Sequence, residues 1–207
     1  MNPFMKLYLM LDQSQCTVTS GKRFFAYVID WFLGSLCTML PMCLMWMMMT
    51  HDLETMSSVN VFILASKFGY TQAYLGGALS IVFALFYYVI VPWKIYPGQT
   101  VGKRTMGFKV VKLDGSDVDL KTLIIREILG IMIIEGALYN VSGIIHSMIS
   151  LMLNLYLVQW LLYIGLAISV VSAFLALKMS SQRMIHDYLA KTKVIEYTDQ
   201  NAVDQRI

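Results

Sequence analysis

Residues 24–49 read FFAYVIDWFLGSLCTMLPMCLMWMMM, an apolar stretch that carries one charge, Asp30. A membrane's hydrocarbon layer of about 30 Å is crossed by roughly 20 helical residues rising about 1.5 Å each. The stretch is longer than that, so it predicts a spanning helix, with Pro41 expected to kink it. Arg23 stands at its mouth, seven positions before Asp30. Seven residues are close to two helical turns, which places both side chains on one face. An ionisable group inside a membrane costs roughly 2.5–3.5 kcal/mol on insertion scales and is expected to face a partner or a water-filled cavity. Asp30 is therefore the first candidate functional residue, and Arg23 its expected partner.

The rest of the chain agrees with a membrane environment. Of its 207 residues 57% are hydrophobic and 14% charged, against about 25% charged in soluble domains, and the mean hydropathy is +0.62. Further apolar runs predict spans at about 73–93, 122–139 and 156–177. Tyr87, Tyr88 and Trp93 close the second and are expected at headgroup level. The fold class is an all-α membrane protein, a four-transmembrane-helix bundle with a small β-hairpin or sheet on the cytoplasmic side. Residues 1–20 form an N-terminal segment, 21–197 the membrane domain and 198–207 a tail. No basic, apolar and small-residue succession marks a cleavable signal at the start.

Basic residues set the expected orientation. Lys22 and Arg23 precede the first span, Lys94, Lys103, Arg104, Lys109, Lys112 and Lys121 follow the second, and Lys178, Arg183, Lys191 and Lys193 follow the fourth. The other two connections hold Lys67 alone. The positive-inside rule then puts both termini and the 94–121 loop in the cytoplasm. Outside, Val59 to Ala65 is too short to cross and is expected to dip into the interface. Ser142, His146, Ser150 and Asn154 recur every four residues against an apolar side, as in an amphipathic helix that lies on the outer surface or extends the third span. In the loop, Phe108 to Leu113 reads as a strand, Asp114-Gly115 favours a hairpin return, and Ala190 to Tyr197 is β-prone enough to add a third strand.

Three motifs then stand in order: Arg23-Phe-Phe-Ala-Tyr-Val-Ile-Asp30, Gly98-Gln-Thr100-Val-Gly102-Lys103-Arg104-Thr-Met-Gly107, and Arg183-Met-Ile-His186-Asp187-Tyr-Leu-Ala190-Lys-Thr192. Together they resemble the RDD family, named for one Arg and two Asp residues that are matched here by Arg23, Asp30 and Asp187. The resemblance covers roughly Gly21 to Tyr197, although from Thr122 to Leu177 it consists only in being apolar. It implies a bacterial inner-membrane protein of unsettled common role, with a part in transport suggested and some members linked to sodium–proton exchange. It brings no enzymatic signature.

Each candidate residue has a structural and a functional reading. Arg23 and Asp30 form a pair that holds the helices and tail in register, with Arg183 as an alternative partner, or a substrate or ion site, or Asp30 stands unpaired and protonated. Arg183 and Asp187 are spaced as an i,i+4 surface pair. A docked tail would instead bring Asp187 to Arg23. Arg126 and Glu127 near the inner end of the third span are expected to snorkel or pair across helices. Glu135 falls about 20 Å along that helix, past the midplane, where it is either hydrogen-bonded to a Ser or Tyr or serves as a second proton or cation site.

Gly98, Gly102, Lys103 and Gly107 do not have phosphate-loop spacing. With Thr100 and Arg104 they are expected to form a membrane-surface loop meeting anionic headgroups of the lipid bilayer. His146 has no second ligand at metal spacing, the methionines suit packing, and Cys16, Cys37 and Cys43 read as small apolar residues. The expectation is thus no cofactor, no metal, no nucleic acid and no enzyme. The chain is either a small transporter of a cation, proton or other small ligand, expected to work as a homo-oligomer given its few helices, or a subunit or regulator of another membrane protein.

Overall fold

A computed structural model describes residues 15–136 and 139–197. Most of the expected N-terminal segment, the tail 198–207 and positions 137–138 near the end of the third expected span lie outside the described residues.

Helix α1 spans Ser20–Thr50 and contains the first apolar run. It starts where the Thr19 hydroxyl accepts from the Lys22 amide and stops at His51, which turns left-handed at φ 54°. Its 31 residues extend about 46 Å, enough to cross the layer tilted and to overhang it. Helix α2, Val61–Phe68, is capped by Asn60 and is the short outer segment expected near 59–65. Gly69, at φ 93°, separates it from helix α3, Tyr70–Leu85. Beyond Leu85 the turns widen into a π-helical stretch, Phe86–Ile95. Helices Ser20–Thr50, Tyr70–Ile95 and Val158–Lys178, the last being α7, are long and apolar enough to cross a membrane.

The expected span over 122–139 takes a different form. Helix α5, Leu120–Leu123, is capped by Asp119 and widens into a second π-helical stretch, Ile124–Ile134. Its last bond, from the Glu135 amide to the Gly130 carbonyl, spans five residues. The helix then breaks and restarts as α6, Asn140–Leu153. Leu123 packs with Phe108 and Val110 in one core, whereas Ile144 packs with Met42, Trp46 and Leu64 in another. The two pieces therefore lie toward opposite ends of the bundle. The apolar run continues on both sides of Glu135-Gly136, so its hydropathy carries no signal for such a break. The serine-rich face of α6 points inward, with Ser142, His146 and Ser150 buried, so α6 extends the interrupted third segment and does not lie on the surface.

Bundle packing relies on small residues, because lipid provides no hydrophobic force between helices. The buried face of α3 is Ala73, Gly76, Gly77, Ser80 and Ala84, and Gly76 lies so close to Met45 and Leu64 that a Cβ would not fit without displacement. At one end, here called the sheet end, strand β1, Phe108–Lys112, pairs antiparallel with β2, Thr192–Glu196, in the register Phe108↔Glu196 to Lys112↔Thr192. Short helices α4, Val101–Thr105, and α8, Ile185–Leu189, immediately precede the two strands. The hairpin return expected at Asp114-Gly115 turns the chain but adds only an isolated bridge, Val111↔Asp117, so the tail is the second strand and not a third.

Candidate functional site

Asp30 is buried in α1, and its carboxylate is surrounded by donors from the loop that follows the second span. The Gly102 amide donates to Oδ1 at 2.8 Å and the Tyr87 hydroxyl to the same oxygen at 2.7 Å. The Thr100 hydroxyl donates to Oδ2, and Lys103 Nζ lies 3.4 Å from it. Tyr88 adds a bond to the Asp30 backbone carbonyl. Gly102 permits this approach, since a Cβ there would overlap the Ala26 carbonyl and crowd the Asp30 carboxyl.

Three expectations change. Asp30 is not paired with Arg23, because two turns separate them by about 10 Å along the axis and the loop reaches Asp30 first. Gly98, Thr100 and Gly102 are buried, so this part of the expected membrane-surface loop is an anchor inside the bundle, with Lys103 beside Asp30. Gly107 makes a turn at φ 72°, and Arg104 lies over the Tyr96 ring. Tyr87 and Tyr88 are likewise interior donors and not headgroup residues.

A second network fastens the tail. Arg126 is buried in the third segment and donates through Nε and Nη2 to Asp187 Oδ1, at 3.1 and 3.0 Å, while Nη1 donates to its neighbour Glu127. The wide π turn lets these adjacent residues both face inward, as Tyr87 and Tyr88 do in the other π stretch. Asp187 also accepts from the Thr192 hydroxyl and the Met184 amide, the latter as the acidic residue in the first turn of α8. Arg23 Nη2 stands 3.8 Å from Asp187 Oδ2, and Arg23 also donates to the Gln182 carbonyl. Burial opposes the Asp187 charge, but the guanidinium groups of Arg126 and Arg23 outweigh it and hold the carboxyl well below its ordinary range.

The expected Arg23–Asp187 approach is therefore present, without Asp30. Arg183 is not an i,i+4 partner of the Asp187 carboxylate. Its guanidinium donates to the backbone carbonyls of Thr192 and Asp187 and covers the Tyr188 ring.

Glu135 sits at the helix break and is joined to the tail. Oε1 accepts from the His186 amide and from the Ser172 hydroxyl, both at 2.9 Å, and Oε2 meets His186 Nδ1 at 3.0 Å. On the other side of the ring, His186 Nε2 is 3.0 Å from Arg126 Nη2. A guanidinium only donates, so this network assigns the proton to Nδ1 and leaves Nε2 as acceptor. Of the two structural partners expected for Glu135, serine is present as Ser172. His186 was not singled out by the sequence, although its place next to Asp187 in the third motif is the signal that would have found it.

Between α1 and α7 lies a half-enclosed cavity of about 390 Å³, whose walls include Arg23, Phe24, Asp30, Lys103, Arg126, Glu135, Tyr139, Ser169 and His186. Thus every residue of the expected charge cluster except Arg183 and Asp187 lines one space, and those two stand directly behind it. Across both networks Arg23, Lys103, Arg126 and Arg183 equal in number Asp30, Glu127, Glu135 and Asp187. With His186 neutral the ensemble carries no net charge, and any added proton or bound cation leaves an excess inside the bundle.

The chain belongs to the RDD family, a family of membrane proteins, whose model matches residues 17–191. No curated protein and no solved structure matches it.

Proposed function

We propose that this RDD family membrane protein exchanges a proton for a cation, or for another small ligand, through the cavity between α1 and α7. The observation that carries this reading is the Glu135–His186 pair in the cavity wall, with Arg126 against the far face of the imidazole. A proton entering from the cavity can rest on Glu135, weakening its bonds to His186, or on Nε2, where it would confront the Arg126 guanidinium. Either event loosens the contact between the tail and the third segment. Protonation and the shape of the cavity are thereby linked. Asp30, whose oxygens are held by Tyr87, Thr100, Gly102 and Lys103, serves in this reading as an anchor for the loop and not as the carrier.

The broken third segment counts as the fourth crossing, with α5 and its π extension in the half of the bundle nearer the sheet and α6 in the other half. Irregular backbone at membrane depth is tolerated where protein or a cavity covers it, and interrupted helices recur at transporter binding sites. The clustering of basic residues at the sheet end supports a cytoplasmic side for that end and both termini, and with it an inner-membrane location. No enzymatic role and no cofactor enter this reading.

The test is proton movement in liposomes of purified protein enclosing a pH dye. Adding sodium or potassium outside should release protons, Glu135→Gln should slow the release, and Glu135→Asp should keep part of it. Absence of flux from wild-type liposomes would reject exchange. One feature favours a second reading, as a subunit of another membrane protein: only 17% of the apolar window of α7 is buried, against 44% in the second span. Co-purification of one membrane partner at fixed stoichiometry, without flux, would put that reading in place of exchange.

A further inference from the structure

The cavity is more than a cluster of charges, because most of its length is apolar and it opens where two helices fail to meet. On α1 the face with Arg23, Phe24 and Ala26 looks across the gap at Ala173, Ala176 and Leu177 of α7. Arg23, Ala26, Tyr27 and Asp30, at i, i+3, i+4 and i+7, form one stripe on α1, with Phe24 at its edge, and Ala173, Ala176 and Leu177, at i, i+3 and i+4, form one on α7. Ala26, Ala173 and Ala176 supply the concavity. Phe24 and Leu177, 61% and 72% exposed, form the rim and face the surrounding bilayer. The opening is therefore lateral.

A void of about 390 Å³ within the size range of ligand pockets forfeits dispersion contacts along its lining if it stays empty. Lipid chains are adjacent to its rim. We infer that the cavity binds one anionic phospholipid drawn sideways from the leaflet at the sheet end, an acyl chain lying between the α1 and α7 stripes and the phosphate at Arg23. Arg23 fixes the direction. It lies in the first turn of α1, its side chain is 13% exposed, and while Nη1 donates to the Gln182 carbonyl, Nη2 stands 3.8 Å from the Asp187 carboxylate, longer than a tight ion pair. A lipid phosphate can take up the positive charge and the donor that this long contact leaves weakly used. The carboxylates Asp30 and Glu135 line the deeper part and repel an acidic head, so only the chain points inward. The inference concerns the apolar stretch of the cavity and stands whether or not protons pass through Glu135 and His186.

The full chain in mild detergent, given equal amounts of phosphatidylglycerol and phosphatidylcholine and examined by native mass spectrometry, should retain one phosphatidylglycerol in preference. Arg23→Gln should bring the ratio of the two lipids near one, Arg23→Lys should keep most of the preference, and Ala173→Phe should lower retention of both by filling the groove. Equal retention of both lipids by the wild type overturns the assignment. So does an Ala173→Phe protein that binds as much as wild type, or loss of preference in Arg23→Lys equal to that in Arg23→Gln. Oleate retained as strongly as phosphatidylglycerol would assign the site to a free fatty acid and overturn the phospholipid. Proton flux is read in a separate experiment, so failure of one reading is distinguishable from failure of the other.

Discussion

Asp30 illustrates what a single position contributes. Its sequence context, one carboxylate in an apolar helix, was enough to mark it, but not to identify its partners, since Thr100 and Gly102 lie 70 and 72 residues away along the chain. Removing the carboxylate leaves Lys103 and several donors buried without it. Asp30→Ala should cost about 3–5 kcal/mol, seen as low membrane yield and early unfolding in detergent, with Asp30→Asn milder because an amide oxygen still accepts. Gly102→Ala tests the same contact from the other side. Its new Cβ meets backbone, so the helices must part, and a loss of about 1–3 kcal/mol is expected in the same unfolding measurement.

Asp187 gives a prediction in pH. Its carboxyl is held below the ordinary value of 3.8, so the folded state favours the charged form. That contribution is fully present above the ordinary aspartate range and is lost as pH falls below it. Release of the tail, followed by proteolysis at Tyr188, should set in only under such acid conditions, and Asp187→Asn should show it already at neutral pH. Digestion of wild type at neutral pH as fast as Asp187→Asn would contradict the latch.

The elements themselves were legible to different degrees. Continuous apolar runs located α1, α3 and α7, because length and hydropathy alone decide which segments cross a membrane. The pairing of 108–112 with 192–196 was half legible, as both segments were recognisably β-prone, but register depends on side-chain fit across the pair. The two π stretches and the break at Glu135 were not legible, because the apolar run continues on both sides of Glu135-Gly136, and a lone charge and a glycine do not distinguish a broken helix from a continuous one that carries a buried carboxylate. The sheet should be sensitive to its core position: Val110, buried opposite Val194, is expected to cost about 2 kcal/mol when changed to Ala, measured by the unfolding midpoint, whereas exposed positions in the same strands should cost little.

For the molecule as a whole, the expected cluster of Arg23, Asp30 and Asp187 resolves into two networks on one cavity. Grouping by sequence motif correctly brought these residues to one region, yet it could not say which cation each carboxylate takes, since that depends on the tail folding back against the third segment. Orientation is open to direct measurement. With the sheet end in the cytoplasm, a cysteine at Ser116 in a chain otherwise free of cysteine should resist a membrane-impermeant thiol reagent in intact cells, and one at Ser57 should react. The opposite pattern would invert the topology.

The pairing of β1 with β2 joins residues 108–112 to residues 192–196, which are made much later. A ribosome delivers Arg126 and Glu127 into the membrane well before Asp187, Thr192 and the second strand exist, so during synthesis a buried guanidinium waits for its main counter-ion. Asp30 has no such wait, because its donors follow it within the first half of the chain. A chain stopped before Asp187 leaves Arg126 with Glu127 alone and β1 without its partner, so the counter-ion and the strand that close the sheet end arrive together on one short segment.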